Sequence, residues 1–102
     1  MYGLMIGRVT AAGGKRDELI AMLLEGAADM PGCHTYIVAQ DTSDANAIWI
    51  TEVWDSEASH EASRSLPSVK DAIAKGRSLI TAFSDRVTAP VGGHGLARSK
   101  GH

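Results

Sequence analysis

Residues 48–60 read IWITEVWDSEASH, and this stretch changes from a strand pattern to a helix pattern within two residues. Isoleucine, tryptophan, threonine and valine suit a half-buried strand, whereas Ser56-Glu57-Ala58 does not, so we expect the strand to end near Trp54. Because side chains alternate between the faces of a strand, Glu52 shares a face with Trp54. Both faces of this strand are expected to be buried. A buried charge is costly unless it is paired, and Glu52 therefore stands out.

Length and composition limit the class of protein. The chain has 102 residues, of which 44% are hydrophobic and 22% charged, with a net charge of −2. These values predict a single domain with a modest core, no attraction to nucleic acid and no association with a membrane. The single cysteine, Cys33, has no partner for an internal disulfide or a cysteine-rich metal cluster. We therefore expect a reducing, cytoplasmic location.

The remaining sequence predicts four strands and two helical regions in the order βαββαβ. The expected strands are 2–11, 33–40, 48–54 and 84–91, and the expected helices are 15–30, 56–63 and a second piece that restarts at Pro67 and continues through Ile80. This order is that of an α+β, ferredoxin-like fold, in which helices cover one face of a four-stranded antiparallel sheet. We assign residues 1–91 to this domain and residues 92–102 to a flexible or partner-contacting tail.

The uncovered face of such a sheet predicts a partner. The first three strands carry large apolar side chains on both faces, so the face without helices would expose an extended apolar patch. We therefore expect a homodimer that forms through this sheet face.

Several residues resemble a known family. They are Pro31-Gly32-Cys33, Tyr36, Trp49, the Glu52-x-Trp54 pair and Ala58. In this order and at this chain length they are similar to the antibiotic biosynthesis monooxygenase (ABM) domain family, over about residues 2–91. The resemblance implies ferredoxin-like subunits that pair sheet to sheet into a dimeric α+β barrel. It also implies that some members oxidise phenolic polyketides or quinols with dioxygen, without a metal or bound organic cofactor, while others have no established reaction.

The chain departs from the family at one helical position. Many members carry a histidine where this chain has Ser63, whereas His60 lies one turn earlier, where leucine is more frequent in the family. Haem-degrading members of the fold carry a histidine ligand on the later helix, and the stretch 61–83 contains no histidine. The resemblance therefore argues against haem binding.

Two residues are candidates for catalysis, His60 and Glu52. Either could accept the proton of a phenol. The structural alternative for Glu52 is a carboxylate that pairs with Arg8, Arg77 or Arg86 or accepts hydrogen bonds from backbone N–H groups. The alternative for His60 is a solvent-facing position on its helix.

Four residues are candidates for substrate binding: Trp54, Tyr36, His34 and Ser63. Trp54 and Tyr36 could form an aromatic wall for a planar substrate, although Trp54 could equally fill the core. His34 shares a face with Tyr36, or makes only a backbone hydrogen bond at the strand edge. Ser63 stands at the position of the family histidine. No metal-binding spacing of histidine, cysteine or carboxylate is present, so we expect no metal. The family resemblance implies that no organic cofactor is bound either.

The sequence leaves two functions open. The first is a cofactor-independent monooxygenase that oxidises a planar phenol or quinol with dioxygen. The second is a non-catalytic dimer of the same fold that binds a small ligand or another protein, since a fold alone does not determine function.

Overall fold

The computed structural model describes residues 2–26 and 30–94, and the side chains from residue 5 onward. The described strands are β1 Tyr2–Ala11, β2 Cys33–Gln40, β3 Ala47–Trp54 and β4 Ile80–Thr88. The described helices are α1 Arg16–Gly26, α2 Glu57–Ser63 and α3 Pro67–Gly76, with a 3₁₀-helix at Arg77–Leu79 before β4. None of these helices is long and apolar enough to span a bilayer.

The strands form one antiparallel sheet in the order β2-β3-β1-β4. This order confirms the ferredoxin-like α+β fold. One transverse row of the sheet matters for the site. Glu52 on β3 lies opposite Tyr36 on β2 and Met5 on β1, and Met5 in turn lies opposite Val87 on β4. These four side chains therefore point to the same face of the sheet.

The predicted bounds of β4 were wrong. The strand runs from Ile80 to Thr88 rather than over residues 84–91, because β1 extends to Ala11 and pairs there with Ile80. The predicted helix through Ile80 instead ends at Gly76, and the 3₁₀-turn leads directly into the strand. β4 is an edge strand, as expected, and Pro90 lies beyond its end.

The first two helical predictions need smaller corrections. α1 is described to Gly26, residues 27–29 lie outside the described part of the chain, and Met30 is not helical. Leu24 on α1 is 55% exposed. Ser56 caps α2, since the backbone N–H of Ser59 donates to its hydroxyl at 3.1 Å.

The core lies between the helices and one face of the sheet. It is formed by Val9, Ala11, Leu19, Ile48 and Ile50, with Ile20, Leu23, Tyr36, Val38, Leu79 and Ile80 packed around it. The opposite face has no helical cover, and Ile6, Ile37 and Trp49 are 36%, 52% and 37% exposed there. The expectation that both faces of β3 are buried is therefore wrong for Trp49 in the single chain.

A glycine lets the loop before β2 approach α2. Gly32 has φ +83°, and a Cβ atom there would lie 2.5 Å from the hydroxyl oxygen of Ser59 and 2.8 Å from the carboxylate of Asp55. Its carbonyl also accepts a hydrogen bond from the N–H of Asp55 at 2.8 Å. The loop thereby fixes the turn at which β3 continues into α2. Of the predicted tail, residues 92–94 are exposed and residues 95–102 lie outside the described part.

Candidate functional site

The candidate site lies where β3 continues into α2. Trp54 ends the strand, and the cap at Ser56 starts the helix so that His60 packs back against the indole. The two ring centroids are 5.2 Å apart and the planes are tilted by 45°. Trp54 is 1% exposed and His60 is 8% exposed. The alternative of a solvent-facing His60 is therefore wrong.

Glu52 is held by the same tryptophan. The indole N–H of Trp54 donates to Oε1 of Glu52 at 2.9 Å. Arg8 cannot serve as the partner, because it lies on the opposite face of the sheet and forms a 3.0 Å salt bridge with Asp44. Among the described residues, the salt bridges do not include Glu52. Among the described residues, the alternative of an arginine pair for Glu52 is thus replaced by a hydrogen bond from an indole N–H.

Tyr36 faces Glu52 from the neighbouring strand. It is half-buried, and its pKa is raised well above the usual range of tyrosine, first by burial and then by the negative charge of Glu52. The phenol therefore stays protonated at any physiological pH. A neutral phenol next to a carboxylate can donate a hydrogen bond to a ligand but cannot act as a base.

Cys33 also belongs to this environment, which the sequence did not predict. It is the direct cross-strand partner of Trp54, and its thiol contacts the carbonyl of Thr35 at 3.4 Å. Burial and the charge of Glu52 raise the pKa of the Cys33 thiol. The thiol therefore remains protonated, which is typical of a packed cysteine rather than of a nucleophile.

The two remaining predicted residues are placed differently. Ser63 is buried, and its hydroxyl donates to the carbonyl of His60 at 2.6 Å, so its proton is used within α2. His34 is half-buried next to a register irregularity of β2. Its charge contributes to a lowered pKa of Asp55, after the larger effect of a hydrogen bond from Ser59. Glu52, Trp54 and His60 are thus linked by direct contacts. His34 instead interacts electrostatically with Asp55.

The other tryptophan forms a similar pair on the opposite face of the sheet. The indole N–H of Trp49 donates to Oδ2 of Asp41 at 2.7 Å, and the guanidinium of Arg8 lies 5.8 Å from the centre of the Trp49 ring. The hydrogen bond from Trp49 is the main cause that lowers the pKa of Asp41 to about 2, and the backbone N–H groups of Asp44 and Ser43 add to it. This cluster holds the connection between β2 and β3.

Arg16 completes that connection from α1. Its guanidinium donates to the carbonyl oxygens of Asp41, Asp44 and Ala47 at 3.0 to 3.3 Å. Its role is to satisfy backbone acceptors of the loop, and no local pattern encodes such contacts.

Two exposed apolar residues extend the site across the sheet. Phe83 is 60% and Val87 is 48% exposed, although both belong to the face that carries the helices. Val87 lies two strands from Glu52 in the same row, which corresponds to about 10 Å at the usual spacing of strands. The helix layer therefore leaves the β4 side of this face open. Sequence reasoning placed Phe83 outside β4, because it began the strand too late, and it assigned no site role to Val87.

A separate cavity of about 140 Å³ lies between α1 and α3. Its polar lining consists of Glu25, Ser68, Asp71 and Lys75, and a 2.9 Å salt bridge joins the last two. No group of three or more possible metal ligands occurs within residues 2–26 and 30–94. Around Glu52, by contrast, a half-buried carboxylate, the half-buried phenol of Tyr36 and the buried imidazole of His60 lie near one another.

Comparison with known proteins gives consistent results. A family model described as antibiotic biosynthesis monooxygenase matches residues 3–75. No curated protein matches the chain. A solved structure from Chloroflexus aurantiacus, provisionally named an antibiotic biosynthesis monooxygenase, is 59% identical with a TM-score of 0.90, and the match covers 95% of this chain and 100% of that one.

More distant structures share the fold. A Deinococcus radiodurans protein with the same provisional name is 22% identical with a TM-score of 0.77, and the match covers 94% of this chain and 99% of that one. A Pseudomonas aeruginosa protein is 21% identical with a TM-score of 0.80, and the match covers 90% of this chain and 97% of that one. The βαββαβ architecture is therefore retained at low sequence identity.

Proposed function

Because the chain belongs to the antibiotic biosynthesis monooxygenase family, we propose that it is a cofactor-independent monooxygenase that oxidises a planar phenol or quinol with dioxygen. The observation that supports this proposal is the contact chain from Glu52 through Trp54 to His60, with the neutral phenol of Tyr36 facing Glu52. An acceptor and a donor beside one another are what deprotonation of a hydroxyl and stabilisation of the resulting anion require.

In the proposed reaction the substrate supplies the electrons. Glu52 or His60 removes the phenolic proton, and Tyr36 donates a hydrogen bond to the anion as it forms. The electron-rich anion then reduces dioxygen. When a phenol reacts, one oxygen atom enters the ring and the other leaves as water, so the product is a quinone and no external reductant is consumed. When a quinol reacts, it gives two electrons and two protons to dioxygen, so the products are a quinone and hydrogen peroxide. The protein contributes orientation and exclusion of water.

The proposed binding surface combines predicted and newly found residues. Tyr36 contacts the substrate next to Glu52, and the exposed side chains of Phe83 and Val87 offer an apolar surface toward β4. His34 and Ser63 stay predictions for substrate binding. Trp54 does not contact the substrate directly in this proposal, because its ring is buried. It acts on the site through Glu52 and His60, which it contacts.

The test is oxidation of a reduced naphthoquinone. The protein is mixed with 1,4-dihydroxynaphthalene without oxygen, oxygen is then admitted, and quinone formation is followed by absorbance. We expect faster oxidation than with a heat-denatured sample. A large loss of this acceleration is expected in Glu52→Gln if Glu52 is the base, and in His60→Phe if His60 is the base. Oxidation at the rate of the denatured sample would reject the proposal for this substrate. With 1-naphthol, incorporation of one labelled oxygen atom from ¹⁸O₂ would identify a monooxygenase.

The proposal includes a homodimer in the cytoplasm. Two copies would pair through the face of the sheet that lacks helices, which we call the bare face. Ile6 and Ile37 are exposed on the bare face, and pairing would remove both from water. The family resemblance supports this arrangement, since it implies barrels formed from two sheets.

A second function rests on Ser63. Its hydroxyl proton is used within α2, where many family members carry a histidine that can exchange protons. The alternative is therefore a dimer that binds an aromatic ligand without turnover. Saturable binding of 1-naphthol together with oxidation no faster than in the denatured control would favour this alternative.

A further inference from the structure

We propose that Trp54 is a positioning residue for Glu52, and that this arrangement selects ligands that present a hydroxyl group to the carboxylate. The inference rests on the proposed function, because it concerns the same site. It assigns to Trp54 a role different from stacking on the substrate.

The indole of Trp54 is buried on both faces. Trp54 is 1% exposed, and His60 packs against its ring with 5.2 Å between the centroids. A ring enclosed in this way has no free face for a planar ligand. Its remaining polar atom is the indole N–H, which donates to Oε1 of Glu52 at 2.9 Å.

The hydrogen bond from Trp54 orients the carboxylate of Glu52. A glutamate side chain has several rotatable bonds, and a hydrogen bond from a rigid, buried donor holds it in one orientation. An ionised carboxylate only accepts hydrogen bonds, and it has two oxygen atoms. With Oε1 bonded to Trp54, Oε2 provides acceptor capacity for a ligand. A phenol or quinol donates to such an acceptor, whereas a quinone or an ether has no proton to donate.

Four other residues lie around Glu52 and Trp54. Tyr36 faces it from β2, Cys33 lies beside it opposite Trp54, and His60 contacts Trp54 from α2, while Met5 on β1 is apolar. The Tyr36 phenol and the Cys33 thiol remain neutral, because burial and the charge of Glu52 raise the pKa of both groups. Trp54 is therefore the neighbour that orients the carboxylate by a hydrogen bond, while Tyr36 and Cys33 respond to its charge.

The chain contains its own control for the hydrogen bond. It has two tryptophans, and the N–H of Trp49 donates to Asp41 on the opposite face of the sheet. In a ¹H–¹⁵N spectrum each indole gives one resolved signal. We expect Glu52→Gln to shift the Trp54 signal and leave the Trp49 signal in place, and Asp41→Asn to do the reverse. A Trp54 signal that ignores Glu52→Gln would overturn the proposed positioning.

The decisive experiment measures ligand preference without oxygen. The probes are 1-naphthol, which carries a hydroxyl, and 1-methoxynaphthalene, which does not. A hydrogen bond to a charged acceptor corresponds to about tenfold or more in affinity, so we expect the native protein to favour 1-naphthol by about that factor. Trp54→Phe keeps an aromatic ring but removes the N–H, and we expect it to lower this preference several-fold. Trp49→Phe is the matched control and should retain the full preference.

The outcomes separate this inference from the proposed reaction. An unchanged preference in Trp54→Phe, or no preference in the native protein, would overturn the positioning role. If Trp54→Phe does not fold, Glu52→Gln tests whether the carboxylate bonded to Trp54 is the acceptor for the ligand. Its amide presents an N–H group to the ligand, so the preference should disappear, and a retained preference would overturn the proposal. A clear preference without any oxidation would reject the proposed reaction while supporting the positioning role.

Discussion

Trp54 donates its indole N–H to Glu52, the residue two positions earlier on the same strand, across 2.9 Å. On the opposite face of that strand, Trp49 makes the corresponding bond to Asp41 at 2.7 Å. The buried pair belongs to the candidate site, whereas the exposed pair holds a loop. β3 thus carries two hydrogen bonds from an indole N–H to a carboxylate, one at the candidate site and one at the β2–β3 loop.

The Asp41–Trp49 pair should make stability depend on acidity. The pKa of Asp41 is lowered to about 2 from 3.8, chiefly by the hydrogen bond from Trp49. A carboxylate with a depressed pKa in the folded state stabilises the fold above its unfolded value and loses this contribution as the pH falls through the folded value. We therefore expect Asp41→Asn to destabilise the protein at neutral pH, and the difference to shrink between about pH 4 and about pH 2.

Urea denaturation of both proteins across this pH range provides the measurement. Trp49→Phe removes the main cause of the shift, so it should weaken the dependence on pH when Asp41 is present. A gap between native protein and Asp41→Asn that stays constant down to the lowest pH would contradict the assignment.

A side chain at Gly32 should destabilise the protein for two reasons. Its φ of +83° disfavours other residues, and a Cβ atom would meet Ser59 at 2.5 Å. Gly14 has a similar φ of +76° but open space around it. Gly14→Ala should cost about 1–2 kcal/mol of unfolding free energy from backbone strain alone, and Gly32→Ala should cost about 1–3 kcal/mol more. Equal losses in chemical denaturation would mean that the loop moves away from α2 easily.

Much of the fold could be predicted because local chemistry and the final structure agree. β1 and β2 have the predicted bounds, since apolar and β-branched residues fill both segments and glycine or proline bounds them. Ser56 and Pro67 mark the starts of α2 and α3 for the same local reasons. β4 could not be placed in this way. Its bounds depend on the length of its partner β1, and Ile80 and Phe83 resemble the continuation of a helix.

The candidate site was only partly predictable. Alternation along β3 places Glu52 and Trp54 on one face, but the bond between them depends on side-chain rotamers. The position of Cys33 opposite Trp54 depends on the irregularity of β2, which no residue pattern indicates. The burial of His60 depends on how α2 packs on the sheet, since its neighbours along the chain are polar. The sequence therefore predicts the residues but not their contacts.

Gly26 should be required for the packing of α1 on α3. A Cβ atom at this position would lie 2.5 Å from the Cβ of Ala72. Alanine favours a helix by up to about 1 kcal/mol over glycine, whereas overpacking costs about 1–3 kcal/mol, so we expect Gly26→Ala to lower the unfolding free energy. Gly13→Ala, with nothing within 4 Å, should stay within about 0.5 kcal/mol. Replacing Ala72 with glycine in the Gly26→Ala background should restore part of the loss. If it does not, the clash is relieved in another way.

The bare face should control assembly. Ile37 is 52% exposed there, and Ile73 on α3 is 48% exposed outside that face. A lysine placed in a symmetric interface buries an unpaired charge from each copy, so Ile37→Lys should weaken dimerisation by about 100-fold or more. Ile73→Lys should leave it unchanged. Light scattering over a dilution series measures both. A native protein that remains a single subunit at high concentration, or an Ile37→Lys dimer of native affinity, would contradict pairing through this face.

Substitution of His60 should distinguish a role in proton transfer from a role in packing. Its imidazole is 8% exposed and lies against Trp54, and phenylalanine at this position would keep a ring there while removing both nitrogen atoms. If His60 moves a proton in the proposed oxidation, His60→Phe should lower kcat by about 10²–10⁴-fold, the usual effect of losing a general base. If Glu52 is the base, His60→Phe should leave kcat within a few-fold of the native value, and Glu52→Gln should produce the large loss instead. Chemical denaturation of both variants is the necessary control, because a loss of kcat counts as chemical only when the variant is folded under the assay conditions.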